Sequence, residues 1–134
     1  MPSVGIDIVQ VSRIEESLQR FGDRFVNRLY TAEEIAYARS APPLTAVRLA
    51  ARFAAKEAAL KALNLADRGV NWRELEVFRS SSGKCELILH GAAKTAAAES
   101  NIVCTCLSMS HEGDYAAAVV IAESSLSFAN DQDL

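Results

Sequence analysis

Two acidic residues stand where their surroundings disfavour them, and together they suggest a chemistry. Asp7 interrupts the apolar run Val4-Gly5-Ile6-Asp7-Ile8-Val9. Aspartate is depleted in strands, and Val9 on the same face is apolar, so a merely wet strand face explains Asp7 poorly. Glu57 sits in Arg52-Phe53-Ala54-Ala55-Lys56-Glu57-Ala58-Ala59-Leu60-Lys61-Ala62. A surface Glu57–Lys61 pair at i, i+4 would contribute only a few tenths of a kcal/mol. Surrounded by alanine and leucine, these charges instead read as partly buried and in need of partners. Two carboxylates plus water suit Mg²⁺, which keeps part of its hydration shell and takes phosphate oxygens from a substrate. Arg52, Lys56 and Lys61 would offset the phosphate charge. The spacing therefore describes a magnesium-dependent phosphate site with Asp7 and Glu57 as ligands.

Other chemistry-bearing residues are less specific. Arg13, Arg20, Arg24 and Arg28 would fall within about 80° of one another on one continuous helix, although Gly22-Asp23 interrupts it. Such a stripe suits an acidic protein or a phosphate backbone. Ser110 and His111 close the run Leu107-Ser108-Met109-Ser110-His111. Their adjacency makes no nucleophile–base pair, and no Gly-x-Ser-x-Gly elbow exists. Cys85, Cys104 and Cys106 read as reduced thiols, because Cys104 and Cys106 share one face of a strand and cannot pair readily. A zinc site using them lacks the paired ligand spacings and is set aside.

The elements that must position these residues are legible from periodicity. Val4 to Val11 reads as a strand with Val4, Ile6 and Ile8 on one face. Ser12-x-x-Glu15 opens a helix through Ile14, Leu18 and Phe21, and Thr31-x-x-Glu34 opens a short one that ends before Pro42-Pro43. The longest helix runs from about Leu44 to Leu65. Phe53, Leu60 and Leu63 lie within about 40° of Leu49 on it, with Lys56 near the stripe's centre and Glu57 at its edge. Ala51, Ala54, Ala55, Ala58 and Ala62 make up much of the opposite side, so the helix is packed on several sides. Strands follow at Leu75 to Phe78 and Cys85 to His90, then a helix at Ala92 to Glu99. Ile102 to Met109 and Tyr115 to Ala122 form a terminal hairpin. The fold class is α+β in one domain, with an antiparallel sheet packed against the long central helix.

Composition excludes several classes. The chain has 134 residues, 50% hydrophobic and 23% charged, which suits one folded domain. A net charge of −3 disfavours a globally basic nucleic-acid binder. Residues 1–66 nevertheless carry +2 and residues 67–134 carry −5, so an anion-binding surface belongs to the first half. No apolar run approaches a membrane span and no signal peptide opens the chain, which places the protein in the cytoplasm without a membrane partner.

Taken together, Gly5-Ile6-Asp7-Ile8-Val9, the Arg52–Ala62 segment, Trp72-Arg73-Glu74-Leu75-Glu76-Val77, Gly83-Lys84 and Leu107–His111 with Tyr115–Ile121 resemble the holo-acyl-carrier-protein synthase family. These are the short, single-module 4′-phosphopantetheinyl transferases. The resemblance spans residues 4–123, giving a transferase domain over 1–123 and a polar tail over 124–134. It implies transfer of 4′-phosphopantetheine from coenzyme A to a serine of apo-acyl carrier protein, with release of adenosine 3′,5′-bisphosphate, in support of fatty acid biosynthesis. By family pattern Asp7 and Glu57 hold Mg²⁺ on the pyrophosphate and Lys61 contacts the phosphate under attack. Arg52, Lys56, Ser110 and His111 face coenzyme A, and Arg13, Arg20 and Arg24 dock the carrier protein. The general base is Glu57 or a metal-bound water. The family pattern is a homotrimer with sites between subunits, and the alanine side of the long helix suits close packing. Two departures stand out: Lys61-Ala62-Leu63-Asn64-Leu65-Ala66 replaces Lys-Ala-Phe-Gly-Thr-Gly, and Cys85 replaces a usual proline. The rival readings are a magnesium-dependent nuclease or phosphohydrolase, and a non-enzymatic adaptor that binds an acidic partner through its arginines.

Overall fold

A computed structural model describes residues 2–125; Ser124, expected as the first residue of the tail, ends the last strand instead, and the tail from residue 126 onward lies outside the described residues. The chain begins with β1 (Ser3–Gln10), which runs directly into α1 (Val11–Phe21). Because strand passes into helix without a loop, Ser12 lies inside the first turn and the expected Ser12–Glu15 capping box does not form. Gln10 occupies the N-cap position, and its side chain caps no amide of the helix. Gly22, at φ 53°, then turns the chain into α2 (Asp23–Leu29), so the arginine series spans two helices. The second box does form: Thr31 and Glu34 cap each other at the start of α3 (Ala32–Arg39). Pro42–Leu44 makes one tight turn before α4 (Thr45–Leu63).

Helix α4 ends at Asn64, which adopts the left-handed conformation (φ 55°) and whose N–H bonds Leu60 and Lys61 carbonyls. This is the position where the family pattern has glycine. Asparagine is the residue that best replaces glycine in such a cap, so the departure keeps the helix end. A turn at Trp72–Glu74 leads to β2 (Leu75–Arg79) and β3 (Cys85–Leu89), followed by α5 (Gly91–Glu99). The terminal hairpin is β4 (Ile102–Glu112) and β5 (Tyr115–Ser124), so β4 extends past Met109 and carries Ser110 and His111 within the strand.

The strands form two antiparallel sheets, β1-β5-β4 and β2-β3. Pairing places Asp7, Ala118 and Met109 in one row, and Val9, Ala116 and His111 in the next. Alternation sends Gly5, Asp7 and Val9 to the inner face and Val4, Ile6 and Ile8 to the outer one. The outer three are 65%, 62% and 64% exposed. Helix α4 crosses the inner face, with Ala54, Ala55, Ala58 and Ala59 completely buried. A Cβ on Gly5 would come within 1.9 Å of the Ala58 carbonyl oxygen, so only glycine lets β1 lie this close to α4. The alanine side of the long helix is therefore filled by the chain's own sheet rather than offered to a neighbouring subunit. Among the described residues, the sheet's outer face presents Val4, Ile6, Ile8 and Ile121 as an exposed apolar surface.

Candidate active site

The fold brings Asp7, Glu57 and Lys61 together. Asp7 points from the inner face of β1 toward α4, and Lys61 reaches across to it. The Lys61 ammonium donates to the Ile6 carbonyl at 2.9 Å and lies 3.4 Å from Asp7 Oδ1. Partial burial pushes the Glu57 carboxyl above its ordinary value; the nearby negative charge of Asp7 adds to the rise and Lys61 opposes it. A carboxyl whose ionisation is opposed by burial and by a second carboxylate beside it forms a place that a divalent cation would relieve. Among the described residues no group of three or more His, Cys, Asp and Glu converges. A cation held by Asp7 and Glu57 would thus keep positions for water and phosphate oxygens, as Mg²⁺ prefers.

Lys56 requires a correction. Expected beside phosphate, it is completely buried and its three donors are taken: Glu34 Oε1 at 2.8 Å, the Trp72 carbonyl at 3.1 Å and the Leu75 carbonyl at 2.6 Å. Glu34 in turn accepts from the Thr31 and Val77 amides. Burial lowers the Lys56 pKa, with the charge and hydrogen bond of Glu34 acting against that shift. Lys56 fastens α4 to α3 and β2; with no free donor and no exposure, it cannot meet coenzyme phosphate.

Arg52 lies five residues before Glu57, or about 7.5 Å along the helix axis, and belongs to a different kind of place. Three guanidinium groups surround the Tyr37 ring: Arg48 at 4.2 Å, Arg52 at 4.4 Å and Arg79 at 5.3 Å from its centroid. Arg48 donates to the Tyr37 carbonyl and Ser40 hydroxyl. Among the described residues none of the three is ion-paired with a carboxylate, and the buried Nε of Arg52 has no hydrogen-bond partner. Burial lowers the Arg52 pKa, yet a guanidinium stays charged at neutral pH. These arginines line a cavity of about 310 Å³ with Cys85, Met109, Ser110 and His111. Unpaired cations around a partly enclosed space favour an anionic ligand. A second cavity, about 400 Å³, adjoins it and is bounded by Ile8, Ser110, His111, Glu112 and Tyr115. Ser110 and His111 sit on opposite faces of β4, and both line both cavities.

Arg13, Arg20, Arg24 and Arg28 are all exposed. Gly22 breaks their helix, so they do not form one straight stripe. Arg24 and Arg28 instead gather with Phe21 and Phe25 around a hollow of about 320 Å³. Phe21 is 52% exposed, with the Arg20 guanidinium 5.3 Å from its ring centroid.

Sequence reasoning missed Tyr37, Arg48 and Arg79. Arg48 precedes Arg52 by one helical turn and was within reach of a periodicity argument. Arg79 arrives from β2, and no local pattern announces it.

Comparison with known proteins identifies the family. The family model described as the 4′-phosphopantetheinyl transferase superfamily matches residues 3–120. The chain belongs to this superfamily and is a phosphopantetheinyl transferase. Its relatives there are named holo-[acyl-carrier-protein] synthases: that of Koribacter versatilis is 48% identical over 120 residues, covering 89% of this chain and 95% of the relative. That of Carboxydothermus hydrogenoformans is 46% identical, covering 90% and 97%. Among solved structures, the synthase of Neisseria meningitidis superposes with a TM-score of 0.83 at 36% identity, covering 91% of this chain and 98% of that one. The Chronobacterium ammoniagenes synthase–coenzyme A complex gives 0.82 at 32% identity, covering 93% and 98%.

Proposed function

We propose that the protein transfers 4′-phosphopantetheine from coenzyme A to a serine of apo-acyl carrier protein, releasing adenosine 3′,5′-bisphosphate, in support of fatty acid biosynthesis in the cytoplasm. The observation that carries this reading is the arrangement along α4. An Asp7–Glu57–Lys61 cluster faces the phosphates, and the unpaired Arg52 cavity, about 7.5 Å earlier along the helix axis, takes the nucleotide end of the same molecule. Binding of coenzyme A by the complexes in the Chronobacterium and Helicobacter pylori synthases supports the assignment.

In the reaction the carrier serine oxygen forms a bond to the phosphorus that bears pantetheine. The bond from that phosphorus to the bridging pyrophosphate oxygen breaks, and the bisphosphate leaves with its electron pair. Lys61 stabilises charge on the phosphoryl oxygens, and Arg52 and His111 orient the nucleotide. Glu57, whose raised pKa favours proton uptake, or a water beside it receives the serine proton. Asp7 and Glu57 would hold Mg²⁺, which when bound supplies positive charge against the pyrophosphate. The serine belongs to the partner, so Ser110 has no nucleophilic duty. Arg13, Arg20 and Arg24, with the Phe21–Phe25 hollow, receive an acidic amphipathic segment of the carrier.

The outer sheet face supports a homotrimer. Val4, Ile6, Ile8 and Ile121 present it to solvent, and the 400 Å³ cavity shares Ile8 and Ala117 with it. A neighbouring copy seated there would bury these residues and wall the 400 Å³ cavity, which meets the nucleotide cavity at Ser110 and His111, placing sites between subunits.

Incubation with coenzyme A, Mg²⁺ and apo-carrier protein tests the reading by mass spectrometry of the carrier. A phosphopantetheine adduct supports it. DNA cleavage would instead indicate the nuclease, and carrier binding without modification the adaptor.

A further inference from the structure

We infer that Asp114 is a positioning residue for carrier docking: it locks the start of α1 to the β4–β5 turn and so sets the direction of the arginine-bearing helix relative to Asp7 and Glu57. This inference rests on the docking reading above. Helix α1 has no side-chain cap of its own and no acidic residue in its first turn. Its opening amide groups are instead met from 102 positions away. The Asp114 carbonyl accepts from the Val11 amide at 2.7 Å, Oδ1 accepts from the Ser12 amide at 2.9 Å, and Oδ2 accepts from the Ser12 hydroxyl at 2.6 Å. One residue thus replaces both the missing N-cap and the unformed capping box.

The other side of this latch is rigid. Tyr115, the next residue, pairs with Gln10 of β1 and with Glu112 of β4. The same two ladders carry Asp7 in β1 and His111 in β4. Arg13 follows Ser12 directly, so its approach to the site depends on how α1 leaves the sheet. Ile14 and Leu18 seat the inner side of α1 on the core, and the Asp114 latch pins the point where the helix leaves the sheet. The donors from Ser12 also hold the Asp114 carboxyl below its ordinary pKa, so the latch is charged at neutral pH.

Charge alone makes the opposite forecast. An exposed carboxylate beside a surface for an acidic partner repels it, so removing Asp114 for electrostatic reasons should tighten carrier binding. Steady-state kinetics of Asp114→Ala, Asp114→Asn and Ser12→Ala separate the two. Loss of an N-cap corresponds to about five- to thirtyfold. Asp114→Ala should raise the carrier KM in that range while the coenzyme A KM stays within about twofold. Asp114→Asn keeps an acceptor for the Ser12 amide and should recover most of the loss. Ser12→Ala removes only the hydroxyl bond and should show the same split at smaller scale, which keeps the inference testable if Asp114→Ala does not fold. A carrier KM that is unchanged or lower in Asp114→Ala, or one that rises together with the coenzyme KM, overturns the inference. Arg13→Glu serves as the control on the docking reading. If Arg13→Glu raises the carrier KM and Asp114→Ala does not, only the inference fails. If Arg13→Glu has no effect, the docking surface is wrong and the inference falls with it.

Discussion

The substitution Gly5→Ala isolates the contact that joins fold to chemistry. Its Cβ would lie 1.9 Å from the Ala58 carbonyl oxygen, and also 2.9 Å from both the Ala58 carbonyl carbon and the Ala62 amide nitrogen. All three are backbone atoms of a buried helix, so no side chain can swing aside. Restoring an ordinary separation requires β1 and α4 to part by about 1–1.5 Å. Overpacking of this kind costs about 1–3 kcal/mol. With an unfolding entropy of about 2.1 cal/mol/K per residue, Tm should fall by about 4–11 °C. Asp7 lies two residues along the same strand and moves with it, while Glu57 and Lys61 stay on the helix. A misplacement of about 1 Å is worth about 10²-fold in rate. Thermal melting and the carrier mass-shift assay, run at saturating Mg²⁺, should therefore show both losses together. Gly69→Ala is the control: Gly69 has φ 67° with open space around it, so alanine there adds backbone strain of about 1–2 kcal/mol without touching the site. A Gly5→Ala protein that melts early yet transfers at the normal rate would refute the claim that the β1–α4 separation sets the geometry of Asp7 against Glu57.

The remaining predictions concern separate parts of the molecule. Asp7→Ala and Glu57→Ala should each abolish transfer while leaving circular dichroism unchanged; near-normal turnover in either would remove the metal assignment. Lys56→Met strands Glu34 in the core, which typically costs about 3–5 kcal/mol, or about 10–18 °C in Tm; the double variant Lys56→Met/Glu34→Gln should melt above the single one, and the reverse order would contradict the buried pair. The raised pKa of Glu57 stabilises its protonated form in the folded state. Its contribution to stability is therefore complete below about pH 4.5, the ordinary value, and is lost as pH rises through the folded value. Mg²⁺ should oppose that loss, so a melting curve between pH 4 and 7 that is indifferent to Mg²⁺ would count against the site. Ile6→Asp changes only an outward-facing residue and should give a folded protein of lower mass by light scattering, with transfer lost; a fully active monomer would exclude sites between subunits.

What the sequence revealed and what it concealed divides along physical lines. Asp7 and Glu57 were legible because each violates a local rule, a charge in a strand or in an alanine-rich helix. The helices and the hairpin followed from periodicity and turn residues, which act over a few positions. The orientation of β1 did not. Val4, Ile6 and Ile8 look like its core face by hydrophobicity, yet the smaller Gly5 and the charged Asp7 face the helix. Space decides that choice: α4 approaches β1 so closely that no side chain fits at position 5, and the bulkier residues turn outward. The Arg48–Arg52–Arg79 cluster around Tyr37 draws on α3, α4 and β2, and its assembly is a tertiary fact. The Ser12–Glu15 box fails to form for a related reason, since the Ser12 hydroxyl finds its partner 102 residues away.

Lys56 and Glu57 show how little sequence distance separates structure from chemistry on one helix. Adjacent residues on α4 are rotated by about 100°. That rotation sends Lys56 into the core against Glu34 and leaves Glu57 partly open beside Asp7. Each depends on the other. If Glu57 is to face Asp7 while the helix keeps its register, something must resist rotation of α4 about its axis, and the small alanines on the sheet side offer only shallow interlocking. The three directed hydrogen bonds of Lys56, to Glu34, Trp72 and Leu75, supply that resistance in a way apolar packing would not. A buried pair is a poor source of stability compared with a hydrophobic replacement, but it is sensitive to orientation. Replacing Lys56 and Glu34 with a well-packed apolar pair should therefore be tolerated in Tm and still slow transfer. Equal rates in such a variant would show that the alanine–sheet contact alone holds the register.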